Sequence, residues 1–129
     1  PLLNSWLDRE LRLAGRLALA DGRVVLADTG AYVVLVAAEW VRGPLKEDHW
    51  RVLLQARAIE NTLYVAGADH PPPLGIGHSV VVDPQGVPLV HIGTSTDVAV
   101  AFIDPRVVER VRRVNPALAL RRFTVAPRA

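Results

Sequence analysis

The sequence predicts a layered α/β (α+β) domain, and three observations predict it. Residues Ala31 to Ala38, AYVVLVAA, form an apolar run without alternation, the pattern of a strand covered on both faces. In His49 to Asn61, HWRVLLQARAIEN, the residues Trp50, Leu53, Leu54 and Ala58 fall three or four apart, the spacing of one helix face. Ser79 to Val82 and Val87 to Ile92 flank Asp83-Pro84-Gln85-Gly86, which has Pro second and Gly fourth as in a type I turn and so predicts a hairpin. A strand covered on both faces requires a layer on each side.

Taken in order, Leu2 to Ala20 carries apolar residues at helical spacing between Asp8, Arg9, Glu10, Arg12 and Arg16, which predicts a helix weakened at Gly15. Asp21-Gly22 reads as a turn. Arg23 to Ala27 is a short apolar segment ending in Asp28-Thr29-Gly30, a helix end or a tight turn. The central strand Ala31 to Ala38 follows. The helix after it begins near Glu47 and Asp48, whose charges suit a helix N-terminus. Thr62 to Gly67 reads as the next strand, and the loop from His70 to Gly77, with three consecutive prolines, excludes helix and central strand. After the hairpin, Asp97 to Ile103, DVAVAFI, reads as a further strand. Asp104-Pro105 then supplies an N-cap and a first-turn proline for a helix over Arg106 to Val114, striped by Val107, Val108, Val111 and Val114.

At 129 residues the chain is the size of one domain and long enough to bury a core unaided. It contains no cysteine, which excludes disulfides, zinc–cysteine sites and any cysteine nucleophile. No apolar run reaches the roughly 18 residues of a membrane span, and charges among the first leucines do not fit a signal peptide, so no membrane partner and a cytoplasmic location are expected. The net charge of +2 does not call for a broad phosphate-binding face. Seven arginines from Arg106 to Arg128 read as a solvated or subunit-contact surface, or else as an anion site. No aromatic interleaving supports nucleic acid as a partner. The start at Pro1 and the absence of Met suggest a trimmed or partial chain.

Three segments together carry a resemblance. The first runs from the apolar strand with AAEW through Lys46 and His49-Trp50 to ARAIEN. The second is GHSVVVDPQG, Gly77 to Gly86. The third is AFID followed by VVERVRRVNPALALRRF. In this order and spacing the chain resembles the carbon–nitrogen hydrolase (nitrilase) superfamily, in its amidase or omega-amidase (Nit-like) branch, from about Arg23 to Pro127. The resemblance implies part of a four-layer α-β-β-α sandwich, a homodimer or higher oligomer, a small amide substrate, no cofactor, and a Glu-Lys-Cys triad. It places residues 23–129 as the C-terminal half of the family's domain and residues 1–22 as a helical segment of uncertain relation. No catalytic residue can be assigned. The cysteine position would fall near Ala14, where LRLAGRLALADG has none, and Lys46, Glu39 and Glu60 lie on the wrong side of it.

The remaining candidates are supporting ones. Arg57, Glu60 and Asn61 read as a buried, hydrogen-bonded end of the helix over His49 to Asn61, where losing one charge partner would cost about 3–5 kcal/mol; direct substrate contact is the alternative. Glu39 and Trp40 end a strand at its carboxyl side, where α/β proteins bind ligands, so Trp40 either lines a pocket or packs. Lys46 and His49 stand where the helix begins and either meet a substrate carboxylate or stay solvated. Ser79 reads as pocket wall. A serine-hydrolase site built from His78, Ser79 and Asp83 or Asp69 fits poorly, because no nucleophile-elbow glycines surround the serine. His70, His78, His91 and Asp69 do not have metal-site spacing and read as unrelated.

Overall fold

The computed structural model describes residues 18–20, 23–25, 30–120 and 122. The chain divides into two compact units, Pro1–Ala31 with Leu120–Ala129, and Tyr32–Ala119. In the first unit β1 (Ala18–Ala20) pairs antiparallel with β2 (Arg23–Val25), Leu19 opposite Val24. Most of the helix expected over Leu2 to Ala20 lies outside the described residues, as does the Asp21-Gly22 turn. Its last three residues are strand instead, because the backbone groups of Ala18–Ala20 are taken by the ladder to β2.

The second unit holds a four-stranded sheet in the order β3 (Val33–Ala38), β4 (Tyr64–Asp69), β5 (Val80–Val82), β6 (Pro88–His91). β3 and β4 are parallel and joined by the crossover helix α1 (Lys46–Asn61); β4, β5 and β6 run antiparallel. α1 lies on one face of the sheet. Its Trp50, Leu54 and Ala58 are buried against Val65, Val80 and Val82, with Val34, Val36, Ala38 and Trp40 packed around them. Each fully buried side chain of this kind stabilises by about 1.5–3 kcal/mol. Gly67 is required in that layer, since a Cβ there would lie 2.5 Å from Leu54 Cδ1 and 2.8 Å from Trp50 Cζ2.

The hairpin forms as expected. Gly86 N–H donates to Asp83 O (2.9 Å), Asp83 Oδ1 accepts from Gln85 and Val87, and Gly86 takes the positive φ of 85° that the turn needs. Helix α2 (Pro105–Val114) also starts as expected, with Asp104 Oδ1 accepting from Arg106 N (2.9 Å). Val108 and Val111 are its buried residues, Val107 is half-buried and Val114 is exposed.

Two expectations fail, and they fail in the same way. β3 is not covered on both faces: Val34, Val36 and Ala38 face α1, but Leu35, on the other side, is 68% exposed. Residues 97–103 are not a paired strand. They run without a ladder partner among the described residues, leaving Val98, Val100 and Phe102 exposed. A strand exists only where a neighbour accepts and donates its backbone hydrogen bonds, and apolar alternation cannot supply that neighbour.

Candidate functional site

The chain passes from β3 into Glu39 and Trp40 at the carboxyl end of a parallel strand, where ligands of α/β sheets gather. Trp40 is held on four sides. Its backbone N–H donates to Asp69 Oδ1 (2.6 Å), its carbonyl accepts from Ile76 N (3.1 Å), and its indole Nε1 donates to Lys46 O (2.9 Å). The ring meets the Trp50 ring at 5.6 Å between centroids, tilted by 43°. Lys46 Nζ stands 5.1 Å over the Trp40 ring, a cation–π contact of about 0.5–1 kcal/mol where solvent reaches it. Trp50 in turn donates Nε1–H to His78 O (3.0 Å), so the start of α1 is tied to both the β3 end and the loop before β5.

Asp69, the last residue of β4, organises this corner. One carboxylate oxygen takes the Trp40 N–H, while the other accepts from Ile76 N (2.9 Å) and Gly77 N (3.2 Å). Its backbone is clasped by Ser79, whose Oγ accepts from Asp69 N (3.0 Å) and donates to Asp69 O (3.3 Å). Gly75 makes room for the carboxylate, since a Cβ there would sit 2.6 Å from Asp69 Oδ2 and 2.4 Å from His70 O. Gly77 has a φ of 74° and abuts Gly93 O, so the prolyl loop must enter β5 through a residue without a side chain.

The structure therefore brings Trp40, Lys46 and Ser79 together, around Asp69 and Trp50. Glu39 and His49 sit at the rim, exposed, and their side chains make no hydrogen bond to another described residue. Arg57, Glu60 and Asn61 stand at the other end of α1. The expectation that they form a buried cluster is wrong. Arg57 Nη1 pairs with Glu60 Oε1 on the surface, the two side chains 53% and 51% exposed, and Asn61 Nδ2 donates to Arg57 O. An i, i+3 pair on a solvated helix face contributes only about 0–1 kcal/mol. The polar residue buried at that helix end is Thr62, whose Oγ1 donates to Asn61 O (2.8 Å) and accepts from Arg112 Nε (3.3 Å). Arg112 also stands over the Tyr32 ring, so this arginine of the late cluster serves packing.

The histidines are not all unrelated. His78 Nδ1 and His91 Nε2 are 3.0 Å apart, because the β5–β6 register, with Val80 opposite His91, sets them on a cross-strand diagonal. This occupies His78, and Asp69's backbone occupies the Ser79 hydroxyl, so the two do not form a nucleophile–base pair. A cavity of about 300 Å³ among the described residues is lined by Ile59, Pro84, Gln85, Arg110, Val111, Val114 and Asn115, at the opposite end of α1 from the Trp40 corner. It holds none of the candidates.

Asp69 and Trp50 carry the geometry, yet sequence reasoning treated one as a rejected ligand and the other as plain core. The signal that points to Asp69 is a carboxylate ending a strand just before a loop with two glycines, Gly75 and Gly77, around it. Chemically the corner offers an indole wall, an ammonium and an ordered backbone. It offers no activated nucleophile among the described residues.

Comparison with known proteins then gives the arrangement a context. Residues 18–113 match the family model described as carbon-nitrogen hydrolase. The deaminated glutathione amidase of Escherichia coli O157:H7 is 40% identical over 94 residues, covering 73% of this chain and 36% of that protein. The omega-amidase NIT3 of Saccharomyces cerevisiae is 34% identical over 106 residues, covering 77% and 35%. The crystal structure of S. cerevisiae Nit3, a member of the nitrilase superfamily, superposes with a TM-score of 0.66 at 30% identity, over 76% of this chain and 38% of that one. The chain spans half or less of the length of these relatives.

Proposed function

We propose, because this chain belongs to the carbon–nitrogen hydrolase family of the nitrilase superfamily, that it forms the C-terminal part of an amidase for small amides. In this reading the corner built by Trp40, Lys46, Asp69 and Ser79 is one wall of the substrate pocket, and the Glu-Lys-Cys triad is carried by polypeptide outside this sequence. The observation that carries it is the pairing of a family match over residues 18–113 with a sequence that has no cysteine.

The chemistry divides accordingly. The incoming thiolate attacks the amide carbonyl carbon, its lysine and glutamate partners move protons, ammonia leaves, and water releases the acid from the thioester. This chain's share is to bind and orient. The Trp40 indole offers a flat apolar surface to the substrate chain. Lys46 and His49, at the start of α1, face a substrate carboxylate of the kind an omega-amide carries. Glu39 and the Arg57–Glu60–Asn61 end of α1 are scaffold and rim. The assembly is a cytoplasmic homodimer or higher oligomer without nucleic acid or membrane as partner. Among the described residues no helix is long and apolar enough to cross a membrane.

A second reading is favoured by the same missing cysteine: a non-catalytic relative that acts as a binding or assembly module. The two separate in one assay. The chain is mixed with, or covalently fused behind, the triad-bearing segment of the yeast omega-amidase, and ammonia release is followed over a panel of small omega-amides. Release that depends on this chain supports the amidase reading. A folded assembly that stays inactive across the panel supports the module.

A further inference from the structure

Two of the four histidines of the chain meet across the β5–β6 hairpin. His78 Nδ1 and His91 Nε2 stand 3.0 Å apart while the ring centroids are 5.1 Å apart, so the rings lean together at these two nitrogens. A neutral imidazole has one N–H and one lone pair. When each ring carries its proton on the outer nitrogen, His78 on Nε2 and His91 on Nδ1, both inner nitrogens turn lone pairs toward the same point. Lone pairs this close repel unless a cation lies between them, and a proton or a metal ion fills that place. Two nitrogens bound to one zinc-sized ion, each about 2.0–2.1 Å from it, are about 2.9–3.4 Å apart at angles between octahedral and tetrahedral. The observed separation lies in that range.

Both donors are placed by the backbone. His91 ends β6, where it pairs with Val80. His78 has a φ of 55°, its N–H donates to Gly93 O (2.9 Å), and its carbonyl accepts from Trp50 Nε1 (3.0 Å). A residue other than glycine is uncommon at that φ, and here it is fixed by bonds on either side. His91 is exposed and His78 half-buried, so an ion and its waters reach the nitrogens from solvent. Among the described residues no third His, Cys, Asp or Glu joins the pair, so water completes the coordination and affinity is moderate. Imidazole donors suit zinc, nickel and copper, whereas magnesium and calcium take oxygen ligands. Thirteen residues separate the two in sequence, and only the strand register brings them together.

We propose that His78 and His91 form a two-histidine site for a divalent transition metal of the zinc, nickel and copper group, His78 binding through Nδ1 and His91 through Nε2. The ion takes the place of the hydrogen bond between the rings. Each histidine binds as the neutral imidazole with its proton on the outer nitrogen, so no proton is released when both start neutral. The metal clips the residue that enters β5 to the outer strand β6, at the same residue whose carbonyl holds the Trp50 indole. The site does not depend on the amidase reading.

The test titrates the full 129-residue chain, freed of any affinity tag, with zinc chloride alone and, in separate runs, with nickel or magnesium chloride, by isothermal titration calorimetry. Nitrogen-15 NMR reads the imidazoles of the zinc-loaded chain. His91→Gln, His78→Asn, His49→Gln and His70→Gln are compared; Asn is chosen at position 78 because it tolerates a positive φ, and His91→Gln changes an exposed side chain and keeps the circular-dichroism spectrum. The site predicts one zinc or nickel per chain, no magnesium, and shifts at His78 Nδ1 and His91 Nε2 together. Binding falls at least tenfold in His91→Gln and His78→Asn and stays within twofold in His49→Gln and His70→Gln. No saturable uptake by about 1 mM zinc overturns it. So does undiminished binding by His91→Gln, or an equal loss from removing any of the four histidines, which marks an adventitious ion only. One zinc per two chains also overturns it, since the site would then need a second copy.

Discussion

The two faces of the four-stranded sheet are built from similar residues and differ most at β3. On one face Val34, Val36, Val65, Val80 and Val82 meet Trp50, Leu54 and Ala58 of α1 in a closed core. On the other, Leu35 and Ala37 of β3 look outward while Tyr64 of β4 is buried, and elsewhere in the chain Val98, Val100 and Phe102 are exposed too. The contrast teaches that an apolar side chain in this chain is buried only where another element lies over it. The closed face carries the stability and fixes the Trp40 corner. On the second face the exposed apolar residues of β3 add little to the stability of the chain alone.

The sharpest way to break the contrast is at Trp50. Trp50→Ala removes a buried indole, its tilted ring contact with Trp40 and its bond to His78 O, and is expected to cost about 3–5 kcal/mol in urea unfolding. A similar loss from Leu35→Ala would erase the difference between the faces. Asp69→Ala comes next, because it strands the Trp40 N–H and leaves Ile76 N–H and Gly77 N–H with only their bonds to Trp40 O and His70 O; a cost of about 1–3 kcal/mol is expected, with Trp40 fluorescence shifted. A neutral result there would remove Asp69 as organiser of the corner. Adjacent positions on β4 compare the faces directly. Gly67→Val drives methyl groups into Leu54 and Trp50 and is expected to cost about 1–3 kcal/mol, while Ala66→Val, projecting to the other side, stays within about 0.5 kcal/mol. On the open face Leu35→Ser is expected to change the stability of the chain alone by no more than about 0.5 kcal/mol.

The smallest effect is one of pH at the start of α2. The Arg106 guanidinium hydrogen-bonded to Asp104, together with the Arg106 backbone N–H, holds the Asp104 carboxyl below its ordinary range. Because the folded-state value is the lower one, the cap's contribution is fully present above the ordinary aspartate range and is lost as pH falls through the depressed folded value. Helicity followed by circular dichroism should drop slightly over that acid window, and the part due to this cap should vanish in Asp104→Asn.

What could be read from the sequence was what is local. The cap and proline of α2, the Asp83–Gly86 turn and the apolar face of α1 each depend on residues within a few positions of one another, and each forms as expected. Burial depth was harder to read. HWRVLLQARAIEN does not say how far the end of its helix dips into the core, so the Arg57–Glu60 pair read as buried although its spacing equally suits a surface pair. Leu53, expected on the core face, is 44% exposed because Trp50, Leu54 and Ala58 alone fill the stripe that meets the sheet. The readings of β3 as doubly covered and of 97–103 as a strand were statements about neighbours. Side-chain pattern states the need for a neighbour without supplying it. The Trp40 corner fell between these cases: Trp40, Lys46 and Ser79 were visible as candidates, but the carboxylate that joins them is a long-range contact between the β3 end and the β4 end.

The central claim is that this chain holds a pocket wall and no nucleophile. Intact-mass spectrometry of the purified 14.0 kDa chain, incubated alone with fluoroacetamide and with small omega-amides while ammonia is monitored, tests it most directly. The account predicts an unmodified mass and ammonia at the buffer background. An acyl adduct on any residue of the chain, or amide hydrolysis by the chain alone, would contradict it.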